Sequence, residues 1–137
     1  MAMSTADLVR RFIDEVFVAG RRDAVDELVT ADFVSHPLPG SGPEVMKGAI
    51  DRVSGAISDA SFEIQDTVAE GDRVAVRLIA SGVHSGTFMG MPASGKRYSI
   101  EEIHIFRIAD GRVAEHWHQF DSLGMLRQLG LAPGGGG

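Results

Sequence analysis

The chain reads as an α+β domain, with three N-terminal helices packed on a bent, mostly antiparallel sheet. Apolar residues recur at helical spacing as far as Ile57, and from Phe62 onward the apolar period falls to two. Between two alternating runs lies Asp110-Gly111, the strongest short-range hairpin signal in the chain.

The elements follow in order. Ser4 opens the first helix three residues before Asp7, a capping-box-like arrangement. Leu8, Phe12, Val16 and Ala19 form its inner stripe, and Gly20 stops it. Asp23 begins a shorter helix with Val25, Leu28 and Val29 inward. Phe33 to Pro37 leaves it in extended form, and Pro37, Pro39, Gly40 and Gly42 make a loop. Pro43 sits near the first position of a third helix carried by Val45, Ala49, Ile50, Val53 and Ile57. Strands then follow from Phe62, Val74 to Ser81, Tyr98 to Ile108 and Val113 to Asp121. Ser122 to Leu129 closes the chain as a helical turn.

The chain has 137 residues, 44% of them hydrophobic, which suits one domain with a real core. That domain spans residues 4–130, and 131–137 read as a flexible Gly-rich tail. Met1-Ala2 reads as a cloning addition before a natural Met3. No Cys is present, which excludes disulfides, thiolate metal ligands and a Cys nucleophile and suits the cytoplasm. The formal net charge of −6 argues against nucleic-acid or anionic-membrane partners. No apolar run approaches the roughly 20 residues of a spanning helix, and no secretory signal opens the chain.

The hairpin turn predicts a register. A two-residue loop sets Ala109 against Arg112, Ile108 against Val113, Phe106 against Glu115, His104 against Trp117, Glu102 against Gln119 and Ile100 against Asp121. Alternation gathers these on one face, with His116, His118, Ile103, Ile105 and Phe120 on the other. The first face is apolar near the turn and polar away from it. Such a polar cluster on a core-facing wall is costly unless paired or lining a cavity.

These residues carry a resemblance. Gly82, His84, Gly86, Phe88, Gly90, Pro92 and Gly95 resemble the G-x-H-x-G-x-F-x-G-x-P-x-x-G loop of SnoaL-like polyketide (ester) cyclases. Phe106-Arg107, Asp110-Gly111, Glu115, Trp117 and Asp121 resemble that family's F-R…D-G-K-I-x-E-x-W-x-x-x-D, and Gln128-Leu129-Gly130 its usual ending. The resemblance implies the nuclear transport factor 2-like cone, in which a strongly bent sheet and helices enclose a pocket. It implies cofactor-free, metal-free ring closure by an intramolecular aldol reaction. Asp121 falls on the acid/base position, His104 on the assisting one, and Gln119 on a polar pocket position. His36, or Ser35, falls near the second helix's exit.

Each candidate has two readings. Asp121 is a general base with a raised pKa, or an N-cap for the turn that starts at Ser122. His104 polarises a carbonyl or orients Asp121, or is a core His satisfied by Glu102 or Glu115. Glu102 is a pocket acid or only the partner of His104, and Gln119 orients ligand or Asp121. Trp117 and Phe106 read as pocket wall, His36 as a residue of the pocket mouth or plain surface, and His84 as shaping the Gly-rich loop. His116 and His118 share a face at metal-ligand spacing, but the predicted register sets them opposite His104, and we reject a metal. That outer face reads instead as a homodimer surface through Ile103, Ile105 and Phe120. No phosphate loop or nucleophile elbow is present, and the limonene-epoxide hydrolase pattern wants an Arg and an Asp on the strand that here carries Glu102 and His104, which counts against epoxide hydrolysis. The sequence leans towards an enzyme acting on an apolar small-molecule carbonyl compound. An isomerase or hydrolase on the same pocket, or a non-catalytic dimeric ligand-binding protein, are the rivals.

Overall fold

The computed structural model describes residues 3–36 and 38–131. Met1-Ala2, Pro37 and the Gly-rich segment from residue 132 lie outside them. Helix α1 (Thr5–Phe12) starts where expected, with the Ser4 hydroxyl accepting from the Asp7 amide at 3.1 Å. It runs on into a π-helical stretch, Ile13–Val18, in which Phe17 packs edge-on against Phe12 with ring centroids 5.5 Å apart. Helix α2 (Arg22–Leu28) leads into strand β1 (Val29–His36), and α3 (Pro43–Ala56) begins on Pro43. Strands β2 (Ile57–Glu70), β3 (Arg73–His84), β4 (Arg97–Ala109) and β5 (Arg112–Phe120) follow, then helix α4 (Ser122–Leu129). The third helix therefore ends one residue before Ile57, and the second strand starts there, ahead of the period-two signal. The closing turn is a complete helix, so four α-helices rather than three pack with the sheet among the described residues.

The sheet order is β1-β5-β4-β3-β2, antiparallel except for the parallel pair β1–β5. The first strand thus closes against the last, and the helices between them cover one face. The core lies between that face and the helices: Phe12, Leu28, Phe33, Leu78 and Phe106 are fully buried there. No helix among the described residues is long and apolar enough to cross a membrane.

The hairpin register departs from expectation. Ala109 faces Arg112 and Ile108 faces Val113 as predicted, but Arg107 then faces Glu115, so Ala114 is an extra residue on β5. Val113 and Ala114 are consecutive and both buried. Past this bulge Phe106 faces His116, His104 faces His118 and Glu102 faces Phe120, while Ile105 faces Trp117 and Ile103 faces Gln119. The bulge exchanges the two faces of β5 relative to β4.

Candidate active site

The exchange of faces decides which residues meet. A cavity of about 370 Å³ lies between the sheet and the helices. Phe17, Met46, Ile50, Phe62, Tyr98 and Ile100 contribute much of its wall. One side of it is polar, carrying Ser35 from β1, Glu102 and His104 from β4, and His116 and His118 from β5. Ser35 reaches this side because β1 runs beside β5 with Ser35 opposite His116.

These side chains form one connected row. Ser35 Oγ lies 2.9 Å from His116 Nδ1, His116 Nε2 lies 2.8 Å from His104 Nδ1, and His104 Nε2 lies 2.8 Å from Glu102 Oε1. The imidazoles of His104, His116 and His118 stack at centroid distances of 5.0 to 5.5 Å. Phe17 closes over His104 at 5.2 Å, and Phe106 lies beneath His116 at 4.8 Å. His118 Nδ1 is buried with no hydrogen-bond partner among the described residues.

Burial sets the protonation of this row. Desolvation pushes the Glu102 carboxyl up to about 6, with His118 opposing the rise. It holds His104 down to about 3, helped by His118, and holds His116 well below the ordinary imidazole range, helped by its His neighbours. Both histidines are therefore neutral near neutral pH, beside a carboxyl that titrates there.

Of the residues expected in the site, Glu102 and His104 line the cavity. Phe106 is fully buried beneath it rather than lining it. Trp117, Gln119 and His36 lie on the outer face, contrary to expectation, because the Ala114 bulge and the β1 pairing put them there. His36 stacks on Trp117 at 5.2 Å and bonds Glu115 at 2.7 Å, and the Arg73 guanidinium lies 5.1 Å from the Trp117 ring. Asp121 sits outside the cavity as the N-cap of α4, and its Oδ1 accepts the Gly124 amide at 2.9 Å. The structure displays the cap reading of Asp121, and the base reading rests on the resemblance alone. His84, buried on β3, bonds Ser94 across the Gly-rich loop at 2.9 Å.

Sequence reasoning passed over His116 and His118 as site residues and placed them on the wrong face. A signal was available: matching Phe120 rather than Gln119 with Glu102 puts Phe120 on the same apolar face as Ile100 and Phe106. With all three histidines on one face, the reason for rejecting a metal is gone. Each offers a nitrogen, and the three lie within 4.8 Å of one another. A divalent ion would nonetheless have to replace the His104–His116 hydrogen bond, which already occupies two of those nitrogens.

A covered sheet that presents a carboxyl and stacked imidazoles to a cavity beneath the helices defines a small α+β protein with a pocket for a small molecule. The family model for SnoaL-like polyketide cyclases matches residues 7–129, and the chain belongs to that family and has its nuclear transport factor 2-like fold. It is similar to an aklanonic acid methyl ester cyclase of Streptomyces peucetius, 37% identical over 93% of this chain and 92% of the relative. It is 33% identical to a nogalonic acid methyl ester cyclase of Streptomyces nogalater, over 83% of this chain and 89% of the relative. Among solved structures, TsrD from Streptomyces laurentii superposes with a TM-score of 0.83 at 36% identity, covering 90% of this chain and 92% of that one.

Proposed function

We propose that this protein closes a ring in a polyketide methyl ester by an intramolecular aldol reaction, using general acid/base chemistry without cofactor or metal. The observation that carries this reading is the Glu102–His104 pair on the cavity wall, a carboxyl that changes charge near neutral pH beside an imidazole that stays neutral. Ionised Glu102 is the final acceptor of the proton removed from the carbon next to a carbonyl. His118, whose Nδ1 has no hydrogen-bond partner among the described residues, offers the hydrogen bond that holds the carbonyl or the developing enolate. The relatives named for methyl ester cyclases support the substrate class.

The direct test is turnover of aklanonic acid methyl ester and nogalonic acid methyl ester, read as ring-closed product. Activity should rise with pH through about 6, where Glu102 ionises. Glu102→Gln should lower kcat by roughly 10²- to 10⁴-fold and remove that rise. Binding of both esters with no turnover by the wild type would sink the cyclase reading in favour of a ligand-binding protein.

A homodimer through the outer sheet face belongs to the same proposal, with a second copy of this chain as the occupant. Val68, Ala75, Ile105 and Trp117 lie in one cross-strand row on that face, and Ile103 is two residues from Ile105. Val68, Ile103 and Ile105 are 66%, 52% and 37% exposed, a stripe that a flat partner would cover. Light scattering should give twice the chain mass for the wild type and the single-chain mass for Ile103→Glu; a monomeric wild type overturns the proposal.

A further inference from the structure

We propose that Ser35, His116, His104 and Glu102 form a proton relay, in which Ser35 exchanges the proton with the substrate and Glu102 stores it. The proposal rests on the acid/base reading above and adds two residues to it, Ser35 and His116. Three hydrogen bonds at 2.9, 2.8 and 2.8 Å link four side chains from three adjacent strands without a gap. Both ends of the row line the cavity.

Hydrogen-bond arithmetic makes the row directional. A neutral imidazole carries one N–H, so it donates from one nitrogen and accepts at the other. With Glu102 ionised, His104 must donate from Nε2 to the carboxylate. Its Nδ1 must then accept from His116 Nε2–H, and His116 Nδ1 must accept from the Ser35 hydroxyl. With Glu102 protonated and donating to His104, every bond reverses: His104 donates from Nδ1 to His116, and His116 donates from Nδ1 to Ser35 Oγ. These two arrangements differ by one proton.

The aldol step uses both. Ser35 Oγ takes the proton from the substrate C–H as it passes its own to His116 Nδ1. His116 Nε2–H passes to His104 Nδ1, and His104 Nε2–H passes to Glu102. The enolate carbon attacks the carbonyl carbon, a C–C bond forms, and the carbonyl oxygen becomes an alkoxide. The row then runs backwards: Glu102 gives up its proton, and the Ser35 hydroxyl protonates the alkoxide. The proton lost from carbon is matched by one gained at oxygen, and neither imidazole is left charged after a transfer. Burial of both rings, which penalises an imidazolium, suits this mode. The other titratable groups that bear on the row are Tyr98 on β4, His118 on β5 and, from the far face of β1, His36; α3 and the π-helical stretch present Phe17, Met46, Ile50 and Val53.

The test is ring-nitrogen NMR of the full chain between pH 5 and 8, which reads tautomers without substrate. His104 and His116 should both carry the proton on Nε2 at high pH and on Nδ1 at low pH. They should switch with one shared midpoint near that of Glu102, and Glu102→Gln should abolish the switch. Tautomers that ignore pH, that switch separately, or that give way to imidazolium would overturn the relay. Kinetically, Ser35→Ala should lower kcat about 10²-fold with KM within about twofold. Unchanged kcat would mean that Glu102 takes the proton directly, which also overturns the relay. If neither ester is turned over by the wild type but the shared switch is present, the relay stands and the cyclase reading fails.

Discussion

Asp121 and Glu102 are carboxylates on neighbouring strands of one hairpin, and the Asp121 amide donates to the Glu101 carbonyl at 3.2 Å. One side chain turns to the α4 N-terminus in solvent and the other into the cavity wall. The exposed one serves the helix N-terminus as its cap. The desolvated one, beside neutral imidazoles, gains from holding a proton. Asp121→Ala should therefore cost about 1 kcal/mol of stability through the lost cap and leave turnover of the methyl esters within about twofold. Urea denaturation and steady-state kinetics on the same sample check this, and a large fall in kcat at unchanged stability would return Asp121 to the chemistry. Ala rather than Asn is the informative replacement, because Asn also caps helices.

At the scale of elements, the helices and strands were legible because their cues are local. The Ser4 cap, Pro43 at the start of α3, the Asp110-Gly111 turn and the change of period each act within a few residues. The face of β5 was not legible, because the Ala114 bulge goes with two consecutive buried residues, Val113 and Ala114, whose cover comes from elements distant in sequence. Glu102 and His104 were found because β4 keeps one parity throughout; Trp117, Gln119 and Asp121 were misplaced together, because one inserted residue moves everything after it. The Gly-rich loop shows a similar tertiary demand. The amides of Ser85 and Gly86 both donate to the Ala56 carbonyl at the end of α3. A Cβ on Gly86 would lie 2.0 Å from the Gly55 carbonyl oxygen, which is backbone and cannot rotate away. Gly86→Ala should cost about 1–3 kcal/mol as an overpacked contact. Thermal unfolding measures this, and an unchanged midpoint would show that the loop does not seat against α3.

For the whole molecule, the polar wall ties folding to pH in two opposing ways. His104 and His116 are neutral inside, but in the unfolded chain each takes up a proton below about 6.5. Their depressed values add stability that is complete above that pH and is lost as the pH falls towards about 3, the value for His104. Glu102 acts in the other sense, because its folded value is raised from the ordinary 4.5 to about 6. The folded state binds that proton more tightly, so its contribution is present below about 4.5 and lost as pH rises through about 6. Between those values it offsets part of the histidine loss. Stability should be nearly flat from pH 8 to 6.5 and decline below, by roughly 1 kcal/mol per pH unit for each unmatched proton. Glu102→Gln keeps an acceptor for His104 Nε2–H but cannot bind the compensating proton. This variant should therefore lose stability more steeply than the wild type between pH 6 and 4.5, and match its slope above 6.5. Urea midpoints across that range decide it: parallel curves would mean that Glu102 does not titrate inside the fold, and a wild-type curve flat to pH 5 would mean that the buried imidazoles do not resist protonation.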